Sequence, residues 1–153
     1  PAPAPAPAPI PGGVAALEGQ WVKLKSGCFP IDGGKWAHHM VGATRVSDTD
    51  ISRVYGLMTY GTADCSGAGQ AVALAAADPV KFQRFESGTA GSAAWGLAQN
   101  ATNNTWGEVW AKPSDTKLCI LLTSTNFSEV PTLVDAINNA NVEDVRNGCY
   151  TKV

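Results

Sequence analysis

The chain is short of charge. Only 16% of its 153 residues are Asp, Glu, Lys or Arg, against about a quarter in an average globular protein. The eleven Lys and Arg are scattered and the formal net charge is −2, so the basic stripe that nucleic acid demands is missing. No apolar run approaches the roughly eighteen residues needed to cross a bilayer as a helix. No charged segment leads into an apolar signal core, so any export signal is expected to have been removed from this chain or left out of it. Histidine is nearly absent, with His38 and His39 adjacent and no others. Side chains next to each other on a strand point to opposite faces, so these two do not ligate one metal. No C-x-x-C pair is present, which removes the usual zinc and thioredoxin-like frames.

The motifs of several enzyme classes are also missing. There is no G-x-S-x-G elbow for a serine nucleophile, and Ser66 beside Asp64 in "DCSG" reads as a turn after a cysteine. Asp48 and Asp50 form D-x-D in "SDTD", but Thr59 stands where a calcium loop needs its bidentate glutamate. Gly67 and Gly69 give only a fragment of a dinucleotide fingerprint, since Val72 occupies the third small position. Glycoside hydrolysis requires two facing carboxylates, and only Glu86 and Glu108 are carried on expected strands. No cofactor or metal is expected.

Four cysteines are present, Cys28, Cys65, Cys119 and Cys149. An even count fits two structural disulfides in an exported protein, or free core thiols in a cytosolic one. The low charge and the proline-rich start favour export. Of three pairings, the sequential one, Cys28 with Cys65 and Cys119 with Cys149, closes two loops of roughly 30 to 40 residues. In the chain-entropy model each is worth about 3 to 4 kcal/mol.

Residues 1–14 begin "PAPAPAPAPIPGG" and carry too little apolar bulk to offset the entropy of ordering them. They read as a disordered tether, and the Pro-Ala run at about 3.1 Å per residue reaches nearly 30 Å. Residues 15–153 form one domain. In it, short stretches rich in β-branched and aromatic residues are cut by Gly, Asn, Asp and Ser clusters every ten to fifteen residues, which spells antiparallel β. Strands are expected near 20–25, 35–46, 53–60, 70–76, 81–86, 93–99, 105–112 and 117–123. One helix follows in "SEVPTLVDAINNANVEDV", with Ser128 as cap, Pro131 in the first turn, and Val130, Leu133, Val134 and Ile137 as its apolar stripe.

The aromatic residues carry the candidate site. Trp106, Glu108 and Trp110 share one face of "TWGEVW", and Trp95 on the preceding strand is expected to join them. Two indoles and a carboxylate suit an amphipathic ligand or a stacked sugar, while a packed core makes the same demand for burial. A carboxylate on that face calls for a partner.

"LEGQW" at 17–21 supplies the G-x-W that opens the first strand of lipocalins and other calycins. With some eight strands, a late helix and the cysteines in "YGTADC", "KLCILL" and "GCY", the chain resembles small exported bacterial lipoproteins of lipocalin-like type. Against ordinary lipocalins it lacks a T-D-Y motif before the later strands and a clear arginine partner for Trp21. The resemblance implies a mainly β fold, an antiparallel up-and-down barrel of about eight strands with one C-terminal helix and a short last strand. It further implies a monomer in the periplasm, outer membrane or cell surface. There it would bind a small apolar or amphipathic ligand or an envelope protein, without enzymatic activity. A protease inhibitor or interaction module is the alternative, and a hydrolase comes third.

Overall fold

The computed structural model describes residues 13–126, 132–142 and 148–153. Among these residues ten strands follow in chain order: β1 (Gly19–Lys23), β2 (Phe29–Ile31), β3 (Lys35–Arg45), β4 (Asp50–Tyr60), β5 (Gln70–Ala73), β6 (Asp78–Gly88), β7 (Gly91–Gln99), β8 (Thr105–Ser114), β9 (Lys117–Thr123) and β10 (Cys149–Lys152). One helix, α1 (Leu133–Ala140), lies between the last two. The strands near 35–46, 105–112 and 117–123 stand where the sequence pattern puts them. Of the helix expectation, Ser128, Val130 and Pro131 lie outside the described residues, as do residues 1–12 of the tether.

Eight strands close into an antiparallel barrel. Each of β1, β3, β4, β6, β7, β8, β9 and β10 pairs with the next, and β10 returns to β1 through Trp21 opposite Lys152 and Val22 opposite Thr151. The expected number is right, but its membership differs. The stretch near 70–76 forms β5, which pairs with β4 outside the ring, and β10 takes its place in the wall. The short β2 is an addition, paired with the far end of β3. β3 and β4 are eleven residues each, about twice the usual strand. Their upper halves therefore rise beyond the ring as a flap flanked by β2 and β5. The Cys28–Cys65 disulfide spans this flap, and Cys119–Cys149 fastens β10 to β9. Both are the pairs expected from the sequence.

Strand alternation sorts the side chains into an interior and an outer face. The lower interior holds Trp21, Val41, Ala43, Ile51, Val80, Phe82, Ala94, Trp110 and Leu118 in one cluster. A short 3-10 turn, Val14–Leu17, plugs this end, burying Val14 and Leu17. The Trp21 indole donates to the Leu17 carbonyl at 3.1 Å. In place of an arginine, the ammonium groups of Lys112 and Lys152 stand 5.5 and 5.6 Å from the Trp21 ring. Lys112 also donates to the Ala16 carbonyl, which ties the plug to β8.

On the outer face, α1 covers β7, β8 and β9. Thr132 caps it, its hydroxyl accepting from the Asp135 amide. The inward stripe is half-buried Leu133 with buried Ala136, Ile137 and Ala140 in the i, i+3, i+4, i+7 pattern, packed with Trp95, Val109 and Cys119. Val134, assigned to that stripe from sequence, is 52% exposed. The small Ala136 and Ala140 let the helix approach the wall, and that approach turns Val134 outward.

Candidate functional site

The inner face of β8 presents Trp106, Glu108 and Trp110, and β7 answers with Ala98, Gly96 and Ala94 directly opposite. The small residues leave the space that two indoles and a carboxylate occupy. At Gly96 the fit is complete, since a Cβ there would lie 2.8 Å from the Phe82 ring. The adjoining strand pair carries an irregularity between Phe82 and Arg84, which turns the Arg84 side chain onto the outer face.

Trp95 does not join this set. Its register partner is Val109, between Glu108 and Trp110, so the pleat places it on the outer face beneath α1. The Arg84 guanidinium lies 4.4 Å from its ring, and Arg84 in turn donates to Glu86. Because Glu86 is on that outer face and Glu108 is inside, they do not form a facing carboxylate pair.

The partner that Glu108 calls for is Arg53, on the inner face of β4. Arg53 Nη1 donates to both carboxylate oxygens. Trp106 Nε1 donates to Oε2 at 2.6 Å, and Trp110 Nε1 donates to Oε1 at 2.9 Å. Both ionic side chains are 2% exposed. Burial by itself would lower the Arg53 guanidinium, but Glu108, together with Tyr55 and Asp78, more than offsets it and the net direction is upward. The arginine therefore stays charged. Asp78 stands 3.6 Å from its other terminal nitrogen. Trp106, Glu108 and Trp110 are thus brought together as predicted, but as a sealed polar layer across the barrel above the apolar core. Sequence reading missed Arg53. Its signal was "ISRVY", an arginine alternating with Ile51 and Tyr55 on the face that must turn inward.

Above this layer the barrel opens. A cleft of about 230 Å³ is lined by Lys23, His39, Met40, Tyr55, Gly56, Leu74 and Tyr150. Four of these come from the inner faces of β1, β3, β4 and β10. Lys23 is paired with His39 in register, and its ammonium lies 6.0 Å from the Tyr150 ring. The Tyr55 ring rests against the Arg53 guanidinium, 4.9 Å away. Desolvation pushes the Tyr55 hydroxyl up to about 12, against the pull of Arg53, and burial raises Tyr150 as well. Both phenols remain hydrogen-bond donors at neutral pH. Leu74 is exposed at the rim.

The two histidines separate as strand alternation requires. His39 faces the cleft, its ring 4.9 Å from Phe29. His38 lies on the other face, with Nδ1 2.8 Å from the Gly27 carbonyl and its ring edge-on to Tyr60. Asp48 pairs with Arg45 in the β3–β4 turn, and Asp50 accepts from Thr49. Ser66 belongs to a turn in which its amide donates to Asp64 at 3.1 Å. Hydrogen bonds from Ser66 and Thr62 hold the Asp64 carboxyl below its ordinary range. Among the described residues, no three His, Cys, Asp or Glu side chains gather in a way that could hold a metal.

The architecture is consistent with a calycin-like fold. Comparison of the chain with protein-family models, curated proteins and solved structures finds no match to any of them.

Proposed function

We propose that this is an exported, surface-tethered binding protein related to the lipocalin-like lipoproteins of the bacterial envelope. In this reading its barrel mouth holds a small amphipathic molecule without transforming it. The single observation that carries the reading is the mouth cleft, where donor groups from four strands meet beside the apolar rim of Leu74. Few convergent polar groups in a mostly apolar concavity are the usual mark of a small-molecule site. The sealed layer beneath moves the site upward from where the sequence located it. Trp106, Glu108 and Trp110 form the floor of the barrel mouth and the cleft residues make the contacts. Binding is favoured over catalysis because the Glu108 carboxylate is engaged by Arg53 and both indoles, leaving it poorly placed as a base. Two disulfides fit a compartment outside the cytoplasm.

The test is an organic extract of the native protein analysed by mass spectrometry, together with titration of an amphipathic fluorescent probe, anilinonaphthalene sulfonate. A recovered small molecule, or saturable probe binding weakened by Tyr55→Ala, is expected. An empty extract and no probe binding would overturn the reading. The interaction module would then take precedence, and one observation favours it. β5 is an end strand with all four residues exposed, and no residue from 65 to 77 is charged. Such an edge is open to pairing with an extended segment of another protein.

A further inference from the structure

We infer that the Cys28–Cys65 bridge is a site of exchange with small thiols, and that opening it bares Met40 and Met58, which makes the flap a redox-responsive element. The inference stands apart from whatever the barrel mouth holds. The two bridges differ in access. Cys119 and Cys149 are 0% and 5% exposed and packed with α1, whereas Cys28 and Cys65 are both half-buried. Residues 61–64 and 66–77, on either side of Cys65, are exposed throughout, so a thiolate reaches this bridge from solvent. Cys65 also holds φ at 53°, in the left-handed region that a residue with a side chain adopts at a cost. Exposed or strained bridges are the labile ones, while buried structural bridges resist reduction by small thiols.

What the bridge fastens is a cover. Val22, Met40, Met58 and Tyr60 form a buried cluster on which Cys65 packs. Met40 and Met58 are the only methionines in the sequence. The turn between β4 and β5 lies on them, since a Cβ added at Gly69 would stand 2.7 Å from Met58 Sδ and 2.9 Å from the Tyr60 ring. The hydrogen bonds of Thr62, Asp64 and Ser66 close within this turn, and pairing with β4 begins again only at Gln70. The bridge therefore anchors the middle of the turn to the β1–β2 loop, whose Gly27 carbonyl lies 2.8 Å from His38 Nδ1. A thiolate attacks one bridge sulfur, giving a mixed disulfide and freeing the other cysteine as a thiolate, which takes up a proton. A second thiol then displaces the first and leaves joined to it as a disulfide, so the bridge has gained two electrons and two protons. Freed at its middle, the turn lifts and the thioethers meet solvent. Peroxide then transfers one oxygen to each as a sulfoxide and leaves as water.

The experiment exposes the full oxidised chain to reduced glutathione at neutral pH, traps free thiols with N-ethylmaleimide, and maps the peptides by mass spectrometry. Cys28 and Cys65 should be trapped about tenfold faster than Cys119 and Cys149. The trapped chain, and separately the Cys28→Ser, Cys65→Ser double variant, then receive dilute hydrogen peroxide. Sulfoxide at Met58 and Met40 is expected to form at least fivefold faster in both than in the native oxidised chain. Equal trapping of all four cysteines, or of none, would overturn the exchange site. Selective trapping with unchanged methionine oxidation would overturn the cover. Should the double variant fail to fold, the trapped native chain decides, because its intact Cys119–Cys149 bridge reports that the barrel persists.

Discussion

The buried Arg53–Glu108 pair makes the sharpest prediction, because its two halves are unequally supported. Replacing Glu108 by Leu strands a guanidinium whose remaining carboxylate, Asp78, is 3.6 Å away. It also leaves the Trp106 and Trp110 indoles without their acceptor. Replacing Arg53 by Met leaves a carboxylate that still accepts from both indoles. Breaking a buried pair costs about 3–5 kcal/mol, so Glu108→Leu should fall at or above the top of that range and Arg53→Met near the bottom. With a urea m-value of about 2 kcal/mol per molar, those losses move the unfolding midpoint by roughly 1.5–2.5 M. The double variant removes both desolvation costs, and replacing a buried pair by apolar groups is often neutral or stabilising by about 1–4 kcal/mol. Against that stands the buried Trp110 N–H, orphaned at a cost of about 1–3 kcal/mol, while the Trp106 N–H loses the same acceptor from a half-buried position. The double variant should therefore lie within about 2 kcal/mol of the native protein and above both singles. The assay is urea unfolding followed by tryptophan fluorescence, with the slope checked for constancy. Additive losses in the double variant, or Arg53→Met costing more than Glu108→Leu, would refute the ion-pair account of the polar layer.

Trp95→Ala should cost about 3–5 kcal/mol, the usual toll of an aromatic removed from a core, yet leave binding of anilinonaphthalene sulfonate at the mouth unchanged. A lost binding signal in folded protein would return Trp95 to the site. Removing the lower disulfide with Cys119→Ala and Cys149→Ala should destabilise the protein by about 3–4 kcal/mol, read as a lower thermal or urea midpoint. A midpoint equal to the native one would show that the strand seam holds without it. Tyr55 makes stability fall at high pH. Its folded value of about 12 exceeds the ordinary value near 10, so its contribution is complete below pH 10. It is lost as pH rises toward 12, because the unfolded chain ionises first. Tyr55→Phe should flatten that part of the stability profile relative to native protein, and an unchanged profile would contradict the assignment.

The strand boundaries were legible because the turns carry strong local chemistry. "DGGK", "SDTD" and "NATNNT" each end one alternating segment and start another. The inward face of β8 was legible for the same reason, since a period of two is built into the pleat. What sequence could not supply was which neighbour each strand meets. Trp95 was misplaced because the β7–β8 register, set by the intervening loop, decides which side of the wall it faces. β5 was counted as a barrel strand because a short alternating stretch reads alike inside the ring or on its rim. Arg53 was overlooked since an arginine on a strand is usually solvated. Only the three-dimensional coincidence with Glu108, fifty-five positions away, gives it a buried role. The mouth cleft combines residues from β1, β3, β4 and β10, and no local window contains that set.

The way the ring is completed has a consequence for how the chain must reach it. The seam between β1 and β10 joins residues near 21 to residues near 152, the most distant pairing in the barrel. Contacts of such separation form late, since loop-closure entropy is lost before any pairing can compensate it. Until then the two flanking strands, β1 and β9, present unpaired edges, the template for aggregation. The covalent link from Cys149 to Cys119 holds the last strand beside β9 and shortens that search. Oxidation therefore speeds closure, and newly made chains kept reduced should spend longer as open, sticky sheets before the seam forms.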